Sequence, residues 1–114
     1  MTTVSNVLMI NAATSAAVSS NYTNNNCDIL GIQVTGTFSS ATLYIQGMVN
    51  TDSNTWVNLA ALNLTDFDVE NAGITSAGLY EYGIEGVMMV RANVSAVSGG
   101  NISVYGKFAS SANN

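Results

Sequence analysis

The sequence predicts an all-β fold, a single antiparallel β-sandwich of jelly-roll-like type with about eight strands. Short runs rich in Val, Ile, Tyr and Thr recur along the chain. They are bounded by Asn, Ser and Gly, which favour turns. The chain has no proline and no long stretch with the 3.6-residue period of a helix. Its 114 residues suffice for one domain with its own core.

The N-terminal region has the least regular pattern. Residues 4–10 form an apolar run typical of a strand, whereas 12–18 are small residues that fit a strand, a short helix or an extended arm. Residues 11–26 carry no charge. We therefore interpret residues 1–26 either as the first strands or as an arm that docks on another protein, and 27–114 as the sandwich.

The middle of the chain predicts strands separated by polar turns. In the run 27–35, apolar side chains stand at every second residue, the period of a half-buried strand. Residues 41–49 alternate in the same way. The turn 50–54 is rich in Asn and Asp, which tolerate left-handed backbone geometry. The run 55–64 then carries the single tryptophan, Trp56.

The C-terminal part predicts four further strands. In 66–74, acidic side chains alternate with apolar ones. The run 79–85 contains two tyrosines, and 87–97 alternates apolar and polar residues. Two glycines in the turn 98–101 predict a tight hairpin that leads into the last strand, 102–109.

The charge of the chain excludes several partners. The formal net charge is −5, and Arg91 and Lys107 are the only cationic side chains. Binding to nucleic acid or to an anionic membrane needs many more cations, so we expect neither partner. The N-terminal residues lack the pattern of a secretory signal, and no apolar run is long enough to cross a bilayer.

Most catalytic schemes lack a required residue. The chain has no histidine and one cysteine, Cys27, which excludes a Ser–His–Asp triad and a zinc site of His or Cys type within one chain. Carboxylate pairs such as Glu81 with Glu85 are the residue type used in glycoside hydrolysis, but nothing else in the sequence favours that chemistry. We expect a protein that is not an enzyme and has no cofactor.

An acidic row is the one metal-ligand candidate. Asp66, Asp68 and Glu70 stand two residues apart, so a strand would project them from one face. Calcium prefers carboxylate oxygens, but neighbours on a strand face are about 7 Å apart, which is wide for one ion. The spacing favours a solvated polar face over a calcium site.

Aromatic side chains are candidates for contact with a ligand or a partner. Trp56, Tyr44, Tyr80, Tyr82 and Tyr105 could form a platform on which sugar rings stack, and all of them except Tyr80 are our candidate contacts with a ligand or partner. The alternative is that Trp56 fills the core, with the tyrosine hydroxyls at the sheet margins. The burial of Trp56 distinguishes the two interpretations.

Two segments, 43–59 and 78–94, carry a recognisable order of motifs. A strand ends in a small residue, an Asn/Asp/Ser turn follows, and next come W-x-x-L at Trp56, G-L-Y at Gly78 and V-R-A-N-V at Val90. This order resembles small β-sandwich proteins encoded among bacteriophage and prophage structural genes. The resemblance covers residues 27–109. In that family the turn before the tryptophan usually contains glycine, whereas this chain has Asn54, which can take the same geometry.

The resemblance implies a non-enzymatic virion part of head-decoration, head-fibre or tail-accessory type. Such parts self-associate, often as trimers, and dock on other virion proteins, which places the protein in the virion after synthesis in the bacterial host cytoplasm. The alternative is a carbohydrate-binding β-sandwich module that contacts host glycans.

Overall fold

Alternation of apolar and polar side chains produces eleven strands in residues 4–110, the part of the chain that the computed structural model describes. All strand pairings there are antiparallel, so the predicted all-β class is confirmed. The strands are β1 (Val4–Ala13), β2 (Ala17–Val18), β3 (Tyr22–Thr23), β4 (Ile29–Thr35), β5 (Ser40–Met48), β6 (Val57–Asn58), β7 (Ala61–Asn63), β8 (Val69–Glu70), β9 (Gly78–Gly83), β10 (Met89–Ser98) and β11 (Ile102–Ala109).

The strands form two sheets that pack as a sandwich. The six-stranded sheet has the order β1-β11-β4-β9-β7-β8. The five-stranded sheet has the order β2-β10-β5-β6, with β3 also pairing with β10. Strands that are neighbours in sequence often lie in different sheets, so the chain crosses repeatedly between the two layers.

The core lies between the sheets and follows the predicted alternation. Leu30, Ile32 and Val34 of β4 are buried, as are Leu43 and Ile45 of β5, and all five belong to one apolar cluster. Burying a side chain of this kind contributes about 1.5–3 kcal/mol. This cluster therefore supplies much of the free energy that holds the sheets together.

The structure has three more strands than the predicted eight, because the run 55–64 is divided into two and the N-terminal region adds β2 and β3. The run 55–64 contains two short strands, β6 and β7, which belong to different sheets. In the run 66–74 the one named strand is β8, and Ile74 forms an isolated bridge with Leu43. Between β8 and Ile74, Asn71 and Gly73 favour a turn, and Gly73 has φ +96°.

The N-terminal segment is paired to the body of the sandwich. β1 pairs with β11, while β2 and β3 pair with β10. The Ser19 backbone N–H donates to the Ala92 carbonyl at 2.8 Å, and the Ala92 N–H donates to the Ser19 hydroxyl at 2.8 Å. Of the predicted segments 1–26 and 27–114, residues 1–3 and 111–114 lie outside the described part.

One asparagine joins three segments at one end of the sandwich. The Asn24 amide nitrogen donates to the carbonyls of Cys27, Ile84 and Val87 at 2.9–3.1 Å. Its amide oxygen accepts from the Cys27 N–H at 2.9 Å. The two amide hydrogens are shared among the three carbonyls, so the side chain contacts four backbone groups where β3, β4 and the segment between β9 and β10 meet.

The turn between β10 and β11 depends on a glycine. Gly100 has φ +148°, and a Cβ built there would collide with the Thr37 carbonyl oxygen. The next residue, Asn101, donates its N–H to that same oxygen at 2.9 Å. A side chain at position 100 would therefore separate two backbone segments that are hydrogen-bonded to each other.

We predict that Gly100→Ala lowers the free energy of unfolding by about 2 kcal/mol or more, because a strained backbone conformation is added to a backbone collision. The matched control is Gly83→Ala, since a Cβ at Gly83 meets nothing within 4 Å. Urea unfolding followed by circular dichroism measures both. Equal stability of the two variants would contradict this account of the turn.

Candidate functional site

The outer face of the six-stranded sheet carries a row of exposed large side chains. The strand register places Leu8, Tyr105, Gln33 and Leu79 side by side across β1, β11, β4 and β9. Leu8, Tyr105 and Leu79 are 45%, 44% and 50% exposed. Such a cluster of apolar surface on one face is typical of an interaction site.

A groove of about 560 Å³ runs along this face. Its floor includes Gly31, which lies in register between Lys107 of β11 and Glu81 of β9. A Cβ at Gly31 would meet only the Lys107 carbonyl oxygen, at 4.0 Å, so the missing side chain leaves space there. The groove therefore combines apolar walls with a single cation, the Lys107 ammonium.

An exposed phenylalanine projects from the loop between β7 and β8, next to the groove residue Leu64. Phe67 is 73% exposed and has φ +62°, a left-handed conformation that is rare for a bulky side chain. The Phe67 N–H donates to the Asn63 carbonyl at 2.7 Å, which holds the turn. Asp66 and Asp68 flank it, so an apolar tip stands between two carboxylates. We call residues 65–68 the Phe67 loop.

The outer face of the five-stranded sheet has different chemistry. The Arg91 guanidinium lies over the Trp56 ring, with its carbon 4.4 Å from the ring centroid. Arg91 Nε donates to Gln46 Oε1 at 2.8 Å. Trp56 and Arg91 are both partly exposed, so the interpretation that Trp56 fills the core is wrong.

Amide side chains extend the contact between Arg91 and Gln46 into a row of hydrogen bonds. Gln46 Nε2 donates to Asn58 Oδ1 at 2.8 Å, and Asn93 Nδ2 donates to Gln46 Oε1 at 3.4 Å. The register explains the proximity, because Gln46 pairs with Arg91 on one side and with Asn58 on the other. The guanidinium is therefore held in orientation by both Trp56 and Gln46.

The four predicted aromatic contacts do not form one platform. Tyr105 lies on the outer face of the six-stranded sheet, whereas Tyr44 and Trp56 belong to the outer side of the five-stranded sheet. Tyr82 is 2% exposed and lies in the core, so the prediction that it contacts a ligand or partner was wrong. Side chains alternate along β9, so Tyr82 points into the core whereas Leu79 and Glu81 point outward. Burial, and secondarily the neighbouring Tyr80, raises the pKa of the Tyr82 phenol.

The acidic row predicted as a metal candidate is not a strand face. Asp66 Oδ1 accepts from the Asp68 N–H at 2.9 Å, which closes a turn in place of a strand ladder. Glu70 Oε2 accepts from Asn63 Nδ2 at 3.3 Å. Within residues 4–110, no group of three or more His, Cys, Asp or Glu side chains is placed to hold a metal ion.

The sequence matches the XepA family model over residues 3–108. The chain belongs to the XepA family. No curated protein matches it. The matched residues include those of both outer faces described above.

Two solved structures share the XepA-family fold of this chain. The SPBc2 prophage-derived protein YomS is 21% identical, with a TM-score of 0.84 and 96% of each chain covered. The PBSX exported protein XepA is 17% identical, with a TM-score of 0.88. The match covers 96% of this chain and 38% of XepA, so the chain spans less than half of that protein's length. The predicted resemblance to prophage-encoded β-sandwich proteins is confirmed.

The helical content of this XepA-family chain is small. In the described part of the chain, the single 3₁₀ turn is Thr51–Ser53. No helix in that part is long and apolar enough to span a membrane.

Sequence reasoning missed the partners of the candidate residues. Alternation along β5 and β10 indicates that Gln46 and Arg91 point outward, but only the register makes them neighbours. Leu8 and Leu79 were likewise missed as surface residues, because each stands in an apolar run that suggests burial. The available signal was the alternation of side-chain direction along each run, which places every second residue on the outer face of the sheet.

We predict that stability falls above pH 10 and that Tyr82→Phe reduces the fall. The pKa of Tyr82 is raised in the folded state, so the unfolded chain releases its phenol proton first, from about pH 10 upward. Above that pH the folded state binds more protons than the unfolded state, and stability decreases by at most about 1.4 kcal/mol per pH unit for this group. Urea unfolding at pH 8 to 11 measures the slopes. Identical slopes for both proteins would contradict the assignment.

Proposed function

We propose that the chain is a non-enzymatic phage structural or accessory part that self-associates through the outer face of its six-stranded sheet and docks on a larger particle. The observation that carries the proposal is the groove over Gly31, bordered by the exposed side chains of Leu8, Leu79 and Tyr105. Exposed apolar surface of this kind is costly in water unless a partner covers it.

A second copy of the chain is the occupant that the surface chemistry favours. The Phe67 loop offers an apolar tip for the groove, and Asp66 and Asp68 offer carboxylates for Lys107. Contacts between different surfaces of identical subunits produce rings when the rotation closes. The proposal is therefore a head-to-tail ring, for which the trimer expected from the sequence stays a prediction.

The low charge of the chain supports association. Only 8% of residues are charged, so little like-charge repulsion keeps copies apart. The membership in a family with prophage-derived relatives supports a role in a phage particle or its accessory machinery. A place in the virion, and docking on other virion proteins, are part of the same proposal.

We predict that Gly31→Lys converts a closed oligomer into monomers. The new side chain fills the floor of the groove and puts a buried charge into the contact. Gly83→Lys is the matched control, because it adds the same charge on β9 at an exposed glycine with nothing near its Cβ. Light scattering after size-exclusion chromatography measures the mass at several concentrations.

Phe67→Ser tests the other half of the contact, and it should also lower the mass. A wild-type monomer at every concentration would contradict self-association. Dissociation by Val57→Lys, on the edge of the other sheet, together with an unchanged mass of Gly31→Lys, would place the interface elsewhere.

A further inference from the structure

Arg91 is a cation without an acidic partner in a chain dominated by acids. The chain has seven acidic and two basic side chains. Within residues 4–110, however, the contacts of the Arg91 side chain go to Trp56 and Gln46 and to no carboxylate. A charge that only stabilised the fold would be expected to pair with one of the many acids.

The contacts of Arg91 with Trp56 and Gln46 leave the two terminal nitrogens of its guanidinium available to a ligand. Its Nε is used by Gln46, and in the described part of the chain neither terminal nitrogen makes a hydrogen bond. Those two nitrogens form the planar fork that binds a carboxylate through two parallel hydrogen bonds. Because Trp56 and Gln46 already fix the side chain, little conformational entropy is lost when a ligand binds.

The side chains around Arg91 suit a sugar better than a protein surface. Asn58 and Asn93 present amides, which donate and accept hydrogen bonds as sugar hydroxyls require, whereas Gln46 Oε1 already accepts from Arg91 and Asn93. Tyr44 stands in register with Asn93 and adds an aromatic ring. Protein interfaces instead need an apolar centre, and the apolar groove of about 400 Å³ beside Gly47 and Val57 includes none of the residues around Arg91.

We propose that Arg91, held by Trp56 and Gln46, is the carboxylate-binding residue of a saccharide site on the outer face of the five-stranded sheet. The ligand class is a saccharide with a single carboxylate, such as a neutral sugar linked to one uronic acid, because the site holds one guanidinium in a chain of net charge −5. Arg91 binds the carboxylate, and the amides of Asn58 and Asn93 bind neighbouring hydroxyls. This site is separate from the groove proposed for self-association, and it adds a binding activity to the proposed function.

The single tryptophan makes the experiment direct, because Trp56 belongs to the proposed site. The full chain is titrated with a disaccharide of galacturonic acid linked to galactose, and tryptophan emission is followed. The control ligand is the carboxyl-reduced disaccharide with the same linkage. We expect saturable binding of the acidic disaccharide, weakened by salt, and no binding of the reduced one.

Two matched variants test the residue assignment. Arg91→Lys keeps the charge but removes the fork, and it should weaken binding about tenfold or more. Gly83→Lys adds a cation on the opposite sheet, outside both proposed surfaces, and should change affinity by no more than about twofold. Thermal unfolding of both variants verifies that they fold. Asn58→Ala, at an exposed position on β6, is a second site variant and should weaken binding several-fold without a change in stability.

Each contrary result has a defined meaning. Equal binding of the acidic and the reduced disaccharide, or binding of neither, overturns the proposal. A gain in Gly83→Lys as large as the loss in Arg91→Lys would mean non-specific attraction of an anion and would also overturn it. If Arg91→Lys instead lowers the oligomer mass, the partner of Arg91 is a carboxylate of another copy. Failure of the saccharide titration leaves the mass measured for Gly31→Lys unaffected, so the two proposals fail separately.

Discussion

The alternation of residues 89–94 of β10 between the core and the surface is the constraint on which the rest of the structure depends. Val90, Ala92 and Val94 are fully buried, and the intervening Arg91 and Asn93 face outward. β10 pairs with β5 on one side and with β2 and β3 on the other. A shift of one residue would put the arginine into the core and the valines into water. The same alternation therefore fixes the core, anchors the N-terminal strands and positions the guanidinium.

The outer faces of the two sheets carry different kinds of side chain, although both sheets pack on one core. The six-stranded sheet presents leucine and tyrosine around a glycine floor, with one lysine in the groove. The five-stranded sheet presents amides around a guanidinium that lies over an indole. An apolar concave face is suited to a protein partner, whereas an array of fixed donors and acceptors is suited to a polar ligand. A protein partner on one face and a polar ligand on the other would therefore not compete for the same residues.

The edges of the sheets limit how copies of the chain can meet. β6 and β8, at the ends of the two sheets, are only two residues long. β1, at the other edge of the six-stranded sheet, has irregular register with β11 at two places. Short and irregular edge strands disfavour edge-to-edge pairing. In a chain with so little charge, this feature is consistent with placing the proposed self-association on a sheet face, where side chains determine specificity.

The sequence alone determined the class of the fold and the direction of most side chains, because alternation and turn chemistry are local. It correctly placed Leu30, Ile32 and Val34 inside and Tyr105 outside. Only the tertiary structure decided the register between distant strands, which brings Gln46 to Arg91 across 45 residues of chain. It likewise decided that Tyr82 is buried, because a tyrosine fits either a margin or a core until its neighbours are known. Site geometry depends on contacts between separate strands, and those contacts leave no local pattern in the sequence.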